Sequence, residues 1–332
     1  MGPLLFAALS SLRSARMRGS TAEPPAQSIM EIAVRPALAR ASCVLALATA
    51  ATTSALAQTA APAVAPPPYA TTRVADNVYV FRMLGHQSMF VVTPDGVIAT
   101  DPIGFVDKKG GEVFLAEIRK VTSAPVKYVV YSHHHYDHIA GGKPFKDAGA
   151  TFVAHRNAHK HLAALQNPEV VLPDQVLDDA STLELGGTRL DLVFVGRNHS
   201  DNTLVMHLPK EKLIFTVDWL PIQAVLFRDL PDGFLPDWFD GIDRVLAMDW
   251  ERMIPGHPAP GGRLGTKDDV RALKAYMTDV SNAARQLAAE GKCLNDEAMA
   301  AVKLPKYEGW GAYALFLPRN IERFCEYWGR GY

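Results

Sequence analysis

The sequence has little cysteine and almost no net charge. Only three of its 332 residues are cysteine, and Cys293 and Cys325 lie far along the chain from every histidine-rich segment, so neither is a good metal-ligand candidate. The formal net charge at pH 7 is −1. Such a balance gives no electrostatic reason to expect nucleic acid or an anionic membrane as a partner. A small molecule is therefore the expected partner.

Long apolar runs are also missing. The apolar segment 43–51 follows a short basic segment, 30–40, and precedes the Ala-Leu-Ala of 55–57. This order is typical of a secretory signal peptide, and its apolar core is too short to remain as a membrane-spanning helix. We predict an over-long start or leader at 1–29, a signal peptide at 30–57, an Ala/Pro-rich tether at 58–70 and one catalytic domain at 71–332. The mature protein is expected to be periplasmic or secreted, without a stable membrane anchor.

Export bears on the two remaining cysteines. In an oxidising compartment Cys293 and Cys325 could form a disulfide. However, 48% of the residues are hydrophobic, and a domain with that much core needs no covalent link. Two independently packed thiols are an equal alternative, and the sequence leaves both open.

The segment 132–138, Ser-His-His-His-Tyr-Asp-His, organises the rest of the chain. It directly follows the apolar run 126–131, which is typical of a buried strand, so the cluster is expected on the loop at the strand's end. His133 and His135 can point to the same side of such a loop and hold one cation, while Asp137 and His138 suit a second. Imidazole and carboxylate ligands fit Zn²⁺, with Fe or Mn less favoured. The alternative is a surface histidine patch that binds metal adventitiously.

Three further candidate ligands each follow a strand-like run. His199 comes after residues 190–195, Asp218 ends the run 213–217, and His257 lies in a Pro-Gly-His turn. An ionised carboxylate at the end of an apolar run is out of place unless it is paired or metal-bound. We find no Ser/His/Asp arrangement and no glycine-rich phosphate loop in the sequence that competes with this series.

The ordered series His-x-His-x-Asp-His, His, Asp and His resembles the metallo-β-lactamase superfamily, over roughly residues 78–262. The resemblance implies that His133, His135 and His199 hold a first metal and that Asp137, His138 and His257 hold a second, with Asp218 bridging them. In the family the bridging Asp and the third His often follow glycine, whereas here they follow Val217 and Asn198. Neither departure removes a ligand.

The resemblance also implies a fold and a reaction. The fold is an α/β, αββα sandwich with two zinc ions at one edge between two mixed sheets. A metal-bridging hydroxide would hydrolyse a small-molecule ester, lactone, amide or related bond, and Asp137 would orient it and relay its proton. A β-lactamase is the alternative, although the branches with cysteine in place of Asp218 do not fit. A non-enzymatic zinc protein is disfavoured because structural zinc sites are closed and rich in cysteine; an iron oxygenase remains a further option.

Several other residues have two interpretations. Trp219 and Trp238 could line a substrate pocket or pack on a sheet, and His86 could edge the active site or be an ordinary solvated histidine of a turn. The histidines of residues 155–161 are typical of a solvated helix face, and His207 is expected to point outward from its strand. The C-terminal helices, predicted from residue 266 onward, could pack on the core or form a homo-oligomer contact.

Overall fold

The computed structural model of the chain describes residues 68–331. The predicted leader and signal peptide, and the tether up to residue 67, lie outside this range. Tyr69 and Ala70, the last residues of the predicted tether, instead begin a strand because they pair with Met83 and Arg82. Within residues 68–331 no helix is both long enough and apolar enough to cross a bilayer.

Twelve strands and eight α-helices form the described part of the chain. The strands are β1 (Tyr69–Arg73), β2 (Val78–Met83), β3 (His86–Thr93), β4 (Gly96–Thr100), β5 (Val126–Val130), β6 (Thr151–His155), β7 (Gln175–Leu177), β8 (Ala180–Leu185), β9 (Thr188–Phe194), β10 (Leu204–Leu208), β11 (Leu213–Val217) and β12 (Arg252–Pro255). The helices are α1 (Gly110–Val121), α2 (Tyr136–Ile139), α3 (Lys143–Asp147), α4 (Arg156–Leu165), α5 (Leu235–Ala247), α6 (Lys267–Ala289), α7 (Asp296–Ala300) and α8 (Tyr313–Arg330).

The strands form two mixed sheets. The first has seven strands in the order β1 to β7, antiparallel from β1 to β4 and parallel from β4 to β7. The second has five strands in the order β12-β11-β10-β9-β8, and only β11 and β12 are parallel. Parallel neighbours bring the carboxyl ends of consecutive strands to one edge, which is where the candidate ligands follow their strands.

Three apolar cores separate four layers. Residues such as Val91, Val130 and Met206 fill the space between the two sheets. Phe114 of α1 and other helical residues cover the outer face of the seven-stranded sheet. Trp238 of α5 belongs to the core that joins the five-stranded sheet to α5, α6 and α8. Since each sheet is covered on its outer face by helices, the fold is the αββα sandwich expected from the sequence.

The C-terminal helices pack on this core. The long helix α6 begins with a capping box, in which the Thr266 side chain accepts from the Asp269 backbone N–H and the Asp269 side chain accepts from the Thr266 backbone N–H. These paired bonds satisfy two N–H groups that a helix start leaves without partners. Helix α8 packs against α6, and Cys325 of α8 forms a disulfide with Cys293, between α6 and α7. Of the two alternatives left open by the sequence, the structure has the paired cysteines.

Candidate metal centre

Four strand ends bring the predicted ligands together at one edge of the sandwich. The loop after β5 carries His133 and His135 and continues into α2, which carries Asp137 and His138. The other three candidates follow further strands of the five-stranded sheet, namely His199 after β9, Asp218 after β11 and His257 after β12. Residues separated by more than one hundred positions in sequence therefore lie in one cluster.

The first group consists of three histidines. The ligand nitrogens of His133, His135 and His199 lie within 4.8 Å of one another. His199 Nε2 is 3.0 Å from His135 Nδ1, and both rings lie edge-on to His133. Rings inclined in this way can direct their lone pairs to a common point.

The second group has four members rather than the three predicted. His86, Asp137, His138 and His257 each place a ligand atom within 4.8 Å of the others. Asp137 Oδ2 lies 3.4 Å from His138 Nε2 and 3.2 Å from His86 Nε2. His86, predicted only to edge the active site, therefore lies inside the cluster of candidate ligands.

Asp218 lies between the two groups. Its Oδ2 is 3.5 Å from His199 Nε2 of the first group and 3.0 Å from His138 Nε2 of the second, and its Oδ1 is 3.2 Å from His257 Nε2. One carboxylate thus contacts histidines of both groups. This is the position that a bridging ligand would need.

The backbone around Asp218 is strained and tight. Val217 has a φ of +53°, in the left-handed region that a β-branched residue rarely adopts. The chain therefore keeps here a conformation that glycine adopts freely, although the residue is valine. Across from it, a Cβ on Gly256 would lie 2.6 Å from Asp218 Oδ1, so only glycine lets the loop after β12 approach closely enough to bring His257 to Asp218.

Burial and charge set the protonation of the cluster. Burial lowers the pKa of His199 to about 4 and that of His133 well below its usual range, so both imidazoles are neutral at pH 7. Burial works against the ionised form of Asp218, but the neighbouring His138 and His257 hold the pKa of this carboxyl well below its usual range. Asp137, for which burial is likewise outweighed by His86 and His138, has a pKa of about 2. Neutral imidazoles and ionised carboxylates are the forms that bind a metal.

Backbone and side-chain acceptors fix the orientation of several rings. His257 Nδ1 donates to the Gly85 carbonyl over 2.6 Å, which leaves its Nε2 facing Asp218. His133 Nδ1 shares a hydrogen bond of 2.9 Å with the Ser132 hydroxyl, and His133 Nε2 is buried without a hydrogen-bond partner. Donation from the second ring nitrogen is the usual way in which a metal-binding histidine is oriented.

Asp232 is a site residue that the sequence did not identify. Its Oδ2 accepts a hydrogen bond of 2.9 Å from His135 Nε2, while His135 Nδ1 faces His199. Burial opposes the charge of Asp232, but the bond with His135 lowers the pKa of this carboxyl below its usual range. Asp232 lies in the irregular segment between β11 and α5, where no periodic pattern distinguishes it from other aspartates.

The two tryptophans predicted as possible pocket residues lie in the core. Trp219 is fully buried and Trp238 is 1% exposed. Trp238 Nε1 donates to the Trp219 carbonyl over 3.1 Å, and its ring lies edge-on to His199 with centroids 6.3 Å apart. Their placement matches the packing alternative, and the Trp238 ring supports His199 from the core side.

Two predictions about other histidines are wrong. His207 does not point outward, because β10 is a central strand covered on both faces; it is buried and its Nε2 donates to the Asp249 carbonyl over 2.9 Å. His155 does not lie on a solvated face either, since it is buried and contacts Asp179. His161 is 39% exposed and pairs with Asp201 at 3.0 Å.

The residues of the cluster fit zinc. The neutral imidazoles of His133 and His199, the ionised carboxylates and a buried unpartnered nitrogen on His133 match the ligands that Zn²⁺ takes in catalytic sites. The first group offers three imidazoles to one cation, which leaves room in a tetrahedral shell for a fourth, non-protein ligand. No sulfur ligand is present in either group.

Comparison with known proteins agrees with this geometry. The 2,4-dinitroanisole O-demethylase subunit alpha of Nocardioides sp. (strain JS1661) is 24% identical over 135 residues, 40% of each chain. The metallo-beta-lactamase type 2 of Bacillus cereus is 26% identical over 199 residues, which are 56% of this chain and 75% of that protein. A metallo-beta-lactamase from Pontibacter korlensis superposes with a TM-score of 0.54 at 20% identity, covering 62% of this chain and 99% of that one.

The chain spans less than half the length of the first of these relatives. A family model described as the metallo-beta-lactamase superfamily matches residues 83–260, which is more than half of the chain and contains all seven predicted ligands. The chain therefore belongs to the metallo-β-lactamase superfamily.

Proposed function

We propose that this superfamily member is an exported hydrolase that uses two zinc ions to cleave a small-molecule ester, lactone, amide or related bond. The observation that carries the proposal is the position of Asp218, whose two oxygens contact histidines of both ligand groups. A carboxylate shared in this way favours a dinuclear centre over a single closed site. The predicted signal peptide, in the part of the chain outside residues 68–331, supports export.

Zinc, when bound, lowers the pKa of a coordinated water to about 7 and polarises the substrate oxygen. The protein's own groups hold the ligand histidines and fix their orientation. Ser132, Asp232 and the Gly85 carbonyl each fix the far nitrogen of a ligand histidine, so that little reorganisation is needed when the substrate arrives.

Asp137 is the proposed proton-handling residue. Its carboxylate is ionised at neutral pH and 36% exposed, so it can accept a proton from the attacking water and reach the leaving group. The hydrogen bond to His86 Nε2 holds its Oδ2 in place. A positioned carboxylate acting as general acid and base typically contributes a factor of about 10² to 10⁴ in rate.

The test is a substrate panel with a matched variant. Purified, zinc-loaded protein is assayed on p-nitrophenyl esters, an acyl lactone, nitrocefin and 2,4-dinitroanisole. With the substrate that is turned over, Asp137→Asn should lower kcat by about a hundredfold or more at saturating zinc, and zinc content is measured in parallel so that kcat is compared at equal occupancy. Asp229→Asn, an exposed carboxylate on the Asp232 segment, is the control and should leave kcat unchanged. Full activity in Asp137→Asn would remove Asp137 from the mechanism.

A β-lactamase remains the second candidate because of the similarity to the Bacillus cereus protein. The panel separates the two directly. Turnover of nitrocefin with no turnover of the esters or lactone would favour the β-lactamase, and the reverse would favour the broader hydrolase.

A further inference from the structure

His86 enters the centre from an element that carries none of the predicted ligands. It is the first residue of β3 and pairs with Met83 at the end of β2, so a two-residue turn of Leu84 and Gly85 connects the strands. Leu84 has a φ of +52°, which tightens this turn. The turn thereby holds the His86 side chain over the second ligand group.

The His86 ring lies between two predicted ligands of the second cation. Its centroid is 5.1 Å from that of His138, with the planes inclined by 58°, and 4.5 Å from that of His257, with the planes inclined by 66°. Inclined rings at these separations can point nitrogens of different rings at one centre. Parallel stacked rings could not.

The polar atoms of His86 are poorly satisfied by the protein alone. The side chain is only 15% exposed, and Nδ1 is buried without a hydrogen-bond partner. Nε2 lies 3.2 Å from Asp137 Oδ2, an atom that itself is a candidate ligand. A buried imidazole with one nitrogen unpartnered is costly to keep unless something else binds it.

The distances allow that partner to be a metal ion. The four ligand atoms of His86, Asp137, His138 and His257 lie within 4.8 Å of one another. Zinc binds nitrogen and carboxylate oxygen at about 2.0 to 2.2 Å, so atoms on opposite sides of one ion stand up to about 4 Å apart. Small side-chain rotations therefore suffice to bring all four onto one cation.

We propose that His86 is a ligand of the second cation, in addition to its three predicted protein ligands. This inference rests on the proposed dinuclear centre. The second position then has three imidazoles and one carboxylate, besides any share of Asp218, and is more nearly filled than the first. The first position, with three imidazoles, would keep the more open shell and would be the one able to polarise the substrate oxygen.

The turn of Leu84 and Gly85, with the residue that follows it, then contributes to the second position in two ways. The Gly85 carbonyl orients His257, and the next residue supplies a ligand. Movement of this one turn would alter two contacts of the second cation together. Loss of His86 is therefore expected to act on the second position and to leave the first intact.

The experiment compares metal binding in wild type, His86→Asn and His86→Gln. Asn and Gln can still hydrogen-bond to Asp137, but neither amide is a common zinc ligand. In a zinc titration against a competing chelator, one of the two zinc equivalents should bind at least about a hundredfold more weakly in both variants, beyond the usual effect of losing an outer partner. The other equivalent should bind as in wild type. His159→Asn, on α4 outside both ligand groups, is the control and should change neither affinity.

A spectroscopic measurement distinguishes a ligand from a residue that only positions Asp137. In the Co²⁺-loaded protein, ring protons of coordinated histidines are shifted far outside the ordinary proton range. His86→Asn should show one fewer shifted histidine ring than wild type and His159→Asn. Both His86→Asn and His86→Gln are measured, so that a folding defect in one of them does not decide the result.

Three results would overturn the proposal. Unchanged second-site affinity in His86→Asn and His86→Gln would do so, as would weaker affinity with every shifted histidine ring retained, because His86 would then act only through Asp137. Wild-type protein that holds a single equivalent would refute the dinuclear centre itself, and that result is distinguishable because it is seen before any variant is made.

Discussion

Replacing Asp232 tests how the first ligand group is held. The carboxylate accepts a hydrogen bond of 2.9 Å from His135 Nε2, which keeps the proton on that nitrogen and leaves Nδ1 free on the side of His199. In Asp232→Ala the His135 ring can rotate and change tautomer. We therefore expect zinc to bind more weakly at the first position, with the second position unaffected.

The size of the effect follows from the exposure of the carboxylate. Loss of an outer partner of a metal-binding histidine typically lowers affinity by about 10- to 100-fold, or about 1.4 to 2.8 kcal/mol. The Asp232 side chain is 37% exposed, so solvent screens part of its charge. We expect the lower end, about a tenfold loss. Asp232→Asn, which keeps an acceptor oxygen but no charge, should fall between wild type and Asp232→Ala.

The assay is a zinc titration against a chelator of known affinity, which separates the two equivalents. Asp229→Ala is the matched control, since Asp229 lies on the same segment but pairs with Arg228 and Arg319 rather than with a ligand. Equal first-site affinity in wild type and Asp232→Ala would refute the positioning role. A loss of affinity confined to the second position would show that His135 belongs to the second ligand group and not to the first.

Two further predictions concern pH and the disulfide. Burial disfavours the charged form of His138, but Asp218 and Asp137 raise the pKa of His138 to about 9 in the metal-free protein. The resulting stabilisation is fully present below about pH 6.5 and is lost as pH rises through about 9. Metal-free protein should therefore lose thermal stability over that interval, while its affinity for zinc rises. Calorimetry in buffers of different ionisation enthalpy should show about one proton released from His138 on zinc uptake at pH 7.5, and no release would contradict this. The disulfide of Cys293 and Cys325 has a sequence separation of 32, so Cys293→Ser with Cys325→Ser should lower the free energy of unfolding by about 3 to 4 kcal/mol, measured in urea, and an unchanged midpoint would argue against the link.

The sequence predicted the regular elements of the fold well. Strand β11 has the bounds of the predicted run 213–217, because this short apolar run lies between clear turn residues. The layered arrangement was accessible only through the resemblance, since alternation along single strands does not say which strands pair. His207 shows the limit: its neighbours alternate as on a half-exposed strand, but β10 has both faces covered.

The candidate site was predicted unevenly. The seven ligand candidates share a local signature, a histidine or aspartate within a few residues after the end of an apolar run, and the structure brings them together; their roles as ligands remain a prediction. Asp232 has no such signature, because its segment is irregular and holds other aspartates with equal claims. The sequence indicates His86 only as a possible edge of the active site. Its place among the ligand atoms follows from the structure, where the β2–β3 turn brings it opposite His138 and His257.

The central claim is tested most directly by the metal content of the full chain purified without added metal. The account predicts about two zinc ions per chain, reduced selectively at the second position when His257 is changed to Ala. A single iron, or no bound metal after exhaustive dialysis into metal-free buffer and readdition of zinc, would contradict it.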